Sequence, residues 1–230
     1  MRYNVQVDQA AGLRSKQLAH HLCVISLIDT PIDFAPRLAQ ALMARDQKIL
    51  LIDSLDRHTR ASKTPFIFGW QQQLARQRLQ TLSVEGVEVM HAPGAQAGDT
   101  TIVRASADYH AVVFDGYLLQ TEIALDSHTP QILLVALSAH PDTLANVYAL
   151  IKTMHQHKLN WQVLLIGDAA LAERVMATVA YFLPAQYGSL EYVNLDADAH
   201  LHALAARISA AEWGASRLNT NTGGGCAQHG

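Results

Sequence analysis

Three aspartates stand where a chain could do chemistry. Asp53 closes the apolar run Ile49–Ile52, Asp56 follows three residues later, and Asp115 closes a second run, Ala111–Phe114. Asp29 and Asp33 lie in another turn, Ile28–Pro36, which reads IDTPIDFAP. For these two the choice is a metal site or helix capping, and Asp33 directly ahead of a helical pattern favours capping. Twelve histidines raise the question of zinc. His155 and His157, like His200 and His202, are two apart, which turns their rings to different sides of a helix. No HExxH-type pair occurs, so these histidines read as solvated and no metal is expected. There is no Gly-x-Ser-x-Gly elbow, and neither Cys23 nor Cys226 sits in a catalytic signature.

The elements that must position these groups follow from periodicity. Leu22–Leu27 is a buried-strand candidate, and Phe34–Arg45 carries Leu38 and Leu42 at helical spacing. Ile49–Ile52 is a second strand, Trp70–Leu82 reads as a helix, and Val87–Met90 as a short third strand. Ala111–Phe114 and Ile132–Leu137 are further strands. The spacing then predicts a helix over Pro141–His155, a strand over Val163–Ile166 and a helix over Ala169–Leu183. Strand Leu190–Val193 and helix Ala199–Ala211 complete the alternation. Short strands that are apolar on both faces belong to a parallel sheet covered on both sides. The expected fold is therefore α/β, a doubly wound and mainly parallel sheet with helices on both faces.

Composition narrows the function classes. Of 230 residues, 50% are hydrophobic and 16% charged, enough apolar surface for a real core. The net charge of −3 argues against nonspecific nucleic-acid binding, which needs many phosphate-neutralising cations. No apolar run is long enough to cross a bilayer, and Met1–Gln17 lacks a secretory apolar region. Two cysteines make no disulfide framework, so both read as reduced thiols and the chain as cytoplasmic. Residues 214–230, rich in Asn, Thr and Gly, read as a disordered tail.

In a doubly wound fold the first strand–helix turn usually cradles phosphate with glycine amides and a lysine. Here that turn has neither: no Gly lies between Gly12 and Gly69, and no Lys between Lys16 and Lys48. Asp29 and Asp33 would repel a triphosphate, and Pro31 and Pro36 remove two N–H donors. Nucleotide binding in the usual way is not expected.

Over roughly residues 20 to 210 the order of the pieces resembles the MinD/ParA family of P-loop ATPases, of the SIMIBI type. CVISL, a loop, then RLAQALMARDQKILLIDSLD is similar to that family's first strand, phosphate loop, NLAxALA-type helix and second strand. The family's loop reads like KGGVGKT; the stretch here is shorter and carries none of those signature residues. Tyr109–Gly116, YHAVVFDG, resembles the YDxVxxD strand whose Asp arranges magnesium and water in active members. Gln131–Met154, QILLVALSAHPDTLANVYALIKTM, gives the most specific match, to a segment like VLLVTTPEPTSLTDAYALIK. The family usually has an Asn at its nucleotide-base site, whereas Val163–Asp168 reads VLLIGD. On this resemblance Asp53 and Asp115 are remnant positions or loop caps, no cofactor is expected, and the domain has lost ATPase activity. A homodimer would be constitutive or use a surface other than a nucleotide face.

Within the family, Asp8-Gln9-Ala10-Ala11-Gly12-Leu13-Arg14 resembles the DQAxxLR motif of FlhG (FleN, YlxH), the regulators of flagellar number and placement. The resemblance implies three parts: an N-terminal arm over 1–20, an α/β domain over 21–213, and the tail. It implies that the arm forms a helix that docks on the signal-recognition-type GTPase FlhF and stimulates its GTP hydrolysis. Gln9 would help complete the partner's active site, since a side-chain amide can orient an attacking water without titrating. Asp8 would cap the helix, Ala10 allow close approach, and Leu13 and Arg14 supply an apolar and a charged contact. Recruitment to the pole or inner membrane would come from the partner. The helix Ala199–Trp213 has Arg207 as its only fixed cation, so it reads as packed on the domain with only weak membrane contact. Two alternatives stay open: an ATPase with an atypical pocket, and a pseudo-ATPase scaffold for another polar machine, such as a pilus or cellulose-secretion complex.

Overall fold

Runs such as Val24–Ile28 and Ile49–Asp53 are buried at every position, which a strand achieves only when both faces of its sheet are covered. A computed structural model describes residues 22–60, 69–76, 79–96, 99–116, 131–138, 140–156, 161–183, 188–195 and 197–210. The proposed arm, 1–20, and tail, 214–230, lie outside the described residues.

In chain order the elements are β1 (Cys23–Ile28), α1 (Phe34–Met43), β2 (Ile49–Asp53), α2 (Trp70–Ala75), β3 (Leu82–Val84), β4 (Val87–His91) and α3 (Thr100–Ala105). They continue with β5 (Ala111–Gly116), β6 (Gln131–Leu137), α4 (Thr143–Gln156), β7 (Trp161–Gly167), α5 (Ala169–Phe182), β8 (Gly188–Tyr192) and α6 (Asp198–Ser209). The eight strands form one sheet in the order β3-β4-β2-β5-β1-β6-β7-β8. Every pairing is parallel except β3 with β4. Helices cover both faces. One core joins Ile25, Leu27, Leu51, Val89 and Val113 to α1 and α6. The alternate residues face the other way, Ile52, Met90 and Phe114 packing with α2 and α3, and Leu133, Val135 and Leu165 with α4 and α5. The doubly wound α/β architecture is therefore the observed one.

Two expectations need correction. The helix expected over Trp70–Leu82 ends at Ala75, and Leu82 opens β3. The cause is local: Glu85 and Gly86 both take positive φ, 51° and 84°, the geometry of a two-residue hairpin turn that folds β3 back onto β4. The short helix α3 was not expected; Asp99 caps it by accepting from the Thr101 and Ile102 N–H groups.

Helix α6 packs on the domain. Leu201, Leu204, Ala205 and Ile208 are buried in the core that includes α1, each leucine contributing about 1.5–3 kcal/mol by leaving water. Arg207 reaches Glu191 of β8 at 2.8 Å, and Arg37 of α1 reaches Asp198. Among the described residues no helix is long and apolar enough to cross a membrane.

Candidate functional site

β1 feeds α1 on one face of the sheet and β2 leads to α2 on the other, with β5 between the two strands. Where connections diverge in this way, a crevice opens over the carboxyl ends of the strands. Three polar residues stand there in one row. His91 of β4 is the register partner of Asp53 on β2, and Asp53 is the partner of Asp115 on β5. Two-residue alternation from buried Val89, Leu51 and Val113 directs all three to the α1 face. Asp53 and Asp115 are 0% and 1% exposed. Charged carboxylates one strand spacing apart, about 4.8 Å, repel by about 3 kcal/mol at an effective dielectric near 20. Such a pair persists only if donors and cations surround it.

The loop after β2 supplies them. Asp53 accepts from the Arg57 N–H through Oδ1 at 2.8 Å, and through Oδ2 from the His58 N–H at 3.0 Å and the Thr59 N–H at 2.8 Å. The Thr59 hydroxyl donates to the same Oδ2 at 2.8 Å. Asp115 is met by the side chains of the same loop. His58 Nε2 lies 2.9 Å from Asp115 Oδ2, and Arg57 Nε lies 3.7 Å from it. Against a carboxylate the imidazole nitrogen must be the donor. Arg57 Nη1 also donates to the Thr30 carbonyl at 3.0 Å, tying the loop to the β1–α1 turn. Ser54 Oγ donates to the Asp115 carbonyl.

Asp53, Asp56 and His91 are the one group among the described residues whose ligand atoms lie close enough together, within 4.8 Å, to hold a metal ion. Their atoms converge on an internal hydroxyl. Thr59 Oγ1 is 2.8 Å from Asp53 Oδ2, 2.7 Å from His91 Nδ1 and 3.4 Å from Asp56 Oδ1. Since Thr59 has a single O–H and gives it to Asp53, the His91 Nδ1–H donates to the hydroxyl oxygen. A protonated Nδ1 has no lone pair for a cation, and Asp53 is already saturated. The cluster does not fit a metal as it stands.

A magnesium–triphosphate, which the sequence resemblance would bring, fits no better. Asp115 Oδ1 is buried with no hydrogen-bond partner among the described residues, and one carboxylate oxygen can serve a magnesium that keeps its waters, but the β1–α1 turn gives the phosphates no glycine or lysine cradle. The turn carries two acids, Asp29 and Asp33, instead. Asp29 takes φ 56°, and Pro31 has no N–H. Asp33 does occupy the N-cap position of α1, yet its side chain makes no capping bond. It pairs with Arg37 one turn on, at 3.2 Å. The expectation that Asp33 caps the helix is therefore corrected: its backbone is already helical, with φ −79° and ψ −10°, which points the side chain along the surface.

The structure thus brings together Asp53 and Asp115 from the sequence analysis. Asp8, Gln9, Ala10, Leu13 and Arg14 lie outside the described residues. His200 and His202 are exposed on α6. Sequence reasoning missed Arg57, His58, Thr59 and His91. The signal was present: RHT follows an acid-tipped strand within six residues, and His91 closes β4.

No protein-family model matches the chain, and no curated protein is significantly similar to it in sequence. Its fold is similar to that of the MinC:MinD cell division protein complex of Aquifex aeolicus. The likeness has TM-score 0.54 and 11% identity and covers 81% of this chain and 95% of that one. A structure described as a plasmid partition protein from Borrelia burgdorferi B31 bound to AMPPNP matches with TM-score 0.47 and 12% identity, over 82% and 97% of the two chains. The first likeness, with the strand order and the helices on both faces, defines a MinD-like doubly wound α/β fold.

Proposed function

We propose that this chain is a FlhG-like regulator of flagellar assembly, a MinD-like scaffold that works without an ATPase cycle and acts on an FlhF-type GTPase through its N-terminal segment. One observation carries the scaffold half: at the head of the sheet the acids Asp53 and Asp115 are already engaged by Arg57, His58 and Thr59 of the same chain. The activator half rests on the DQAxxLR resemblance of residues 8–14. Asp8 starts the docking helix, Gln9 aligns water in the partner's site, and Ala10, Leu13 and Arg14 form the contact. The α/β domain holds this arm and supplies no reaction of its own.

The test is GTP hydrolysis by FlhF in the presence of the full chain. Hydrolysis is expected to accelerate, with most of the gain lost in Gln9→Ala. No acceleration by the whole protein or by a peptide spanning Met1–His20 would remove the activator assignment. Calorimetry with ATP and magnesium addresses the scaffold half: clear micromolar binding would instead make the chain an ATPase with an atypical pocket.

A further inference from the structure

We propose that Arg57, His58 and Thr59 are resident occupants of the crevice, filling with a guanidinium, an imidazole and a hydroxyl the place where a doubly wound sheet takes its ligand. The inference rests on the scaffold reading above and gives it a physical cause.

Three consecutive residues use main chain and side chain at once. Their N–H groups converge on Asp53, while their side chains reach the acids and the histidine of the row. Arg57 and His58 take Asp115, and Thr59 takes Asp53 and His91. The Arg57 and His58 side chains are 14% and 4% exposed, so they are built into the floor of the crevice rather than laid over it. Arg57 then crosses to the Thr30 carbonyl, joining the loop after β2 to the turn after β1. Those two segments flank β5, so the bond bridges the crevice. A ligand entering here would have to expel three side chains, break four hydrogen bonds to Asp53, and leave two buried carboxylates without their partners. Residues 57–59 therefore hold one arrangement with or without an external cation or nucleotide, and a binding partner meets them as a fixed surface.

Hydrogen exchange on the full-length protein tests this, with magnesium and ATP as the probes. The amides of Arg57, His58 and Thr59 are expected to exchange about 100-fold or more below the random-coil rate in the ligand-free protein. Adding magnesium and ATP should leave those rates unchanged. Asp53→Asn should release all three amides together. Because that variant risks unfolding, His58→Gln is the milder one: it should speed exchange in the loop while β6 and β7 stay protected. Random-coil exchange at these amides without ligand, or protection that arrives only with magnesium and ATP, overturns the proposal. ATP binding by calorimetry with loop protection already complete and unaltered would keep the resident plug and remove the scaffold reading instead.

Discussion

Asp53 and Asp115 are register partners on adjacent parallel strands, and two neighbouring residues of one loop divide the work of hydrogen-bonding them. His58 holds Asp115, Thr59 holds Asp53, and Arg57 lies beside the first of these contacts. Two acids side by side in a nearly dry setting are tolerated because, among the described residues, every one of their carboxyl oxygens but Asp115 Oδ1 has a donor. The arrangement makes the head of the sheet polar in composition, with its acids engaged by their own chain.

Removing one member of this network should be costly. His58→Ala leaves the buried Asp115 carboxylate without its hydrogen bond, and the expected loss is about 3 kcal/mol, read from urea unfolding. Adding Asp115→Asn should recover part of it, because the charge that needed the imidazole is gone. A double-mutant cycle with near-zero coupling would refute the pairing.

Gly167, at the end of β7, takes φ 101°, and a Cβ there would lie 2.8 Å from the Leu137 carbonyl oxygen. That neighbour is backbone and cannot swing aside. Gly167→Ala should destabilise the protein by about 1–3 kcal/mol, seen as a lower urea midpoint with an unchanged slope.

Leu204 is 1% exposed between α6 and the sheet. Leu204→Ala should cost about 2–5 kcal/mol through lost burial and the cavity left behind. Thermal unfolding of the variant measures it. A loss below 1 kcal/mol, well under that range, would mean that α6 is not part of the core.

Alkaline pH should weaken the fold. Desolvation pushes the Cys23 thiol from its ordinary 9.0 up to about 12. The Tyr109 phenol is also raised, first by desolvation and then by the hydrogen bond it donates to Glu88. For Cys23 the unfolded chain loses its proton near pH 9 while the folded chain keeps it, so between 9 and 12 the folded state binds more protons. Stability then falls as pH rises, by up to about 1.4 kcal/mol per pH unit. The contribution is fully present below pH 9 and gone above the folded value. Urea midpoints should decline over this window, less steeply in Cys23→Ala.

Much of the fold was legible from apolar runs. Apart from the Trp70–Leu82 segment, expected elements match the observed ones within two residues at each end, because strands buried on both faces have no polar interruption to blur them. Where the pattern failed, a turn decided: Val84-Glu85-Gly86-Val87 folds as a hairpin, and its positive φ angles matter more than the helical spacing upstream. The two acids of the site were visible as strand-terminal residues. Their partners were not, because which side chain meets Asp115 depends on how six loop residues curl over the sheet, and hydropathy carries no trace of that path. Histidine spacing along helices was the wrong measure for His91, which strand register sets beside Asp53, and for His58, which the loop after β2 carries to Asp115.

β3 is three residues long and runs against the direction of its neighbour at one margin of the eight-stranded sheet. So short a border leaves few free backbone groups for another polypeptide to zip onto, and lateral polymerisation by strand addition is blocked on that side. Any ring or filament made from this protein has to grow there through helices and loops, not by extending its β-lattice.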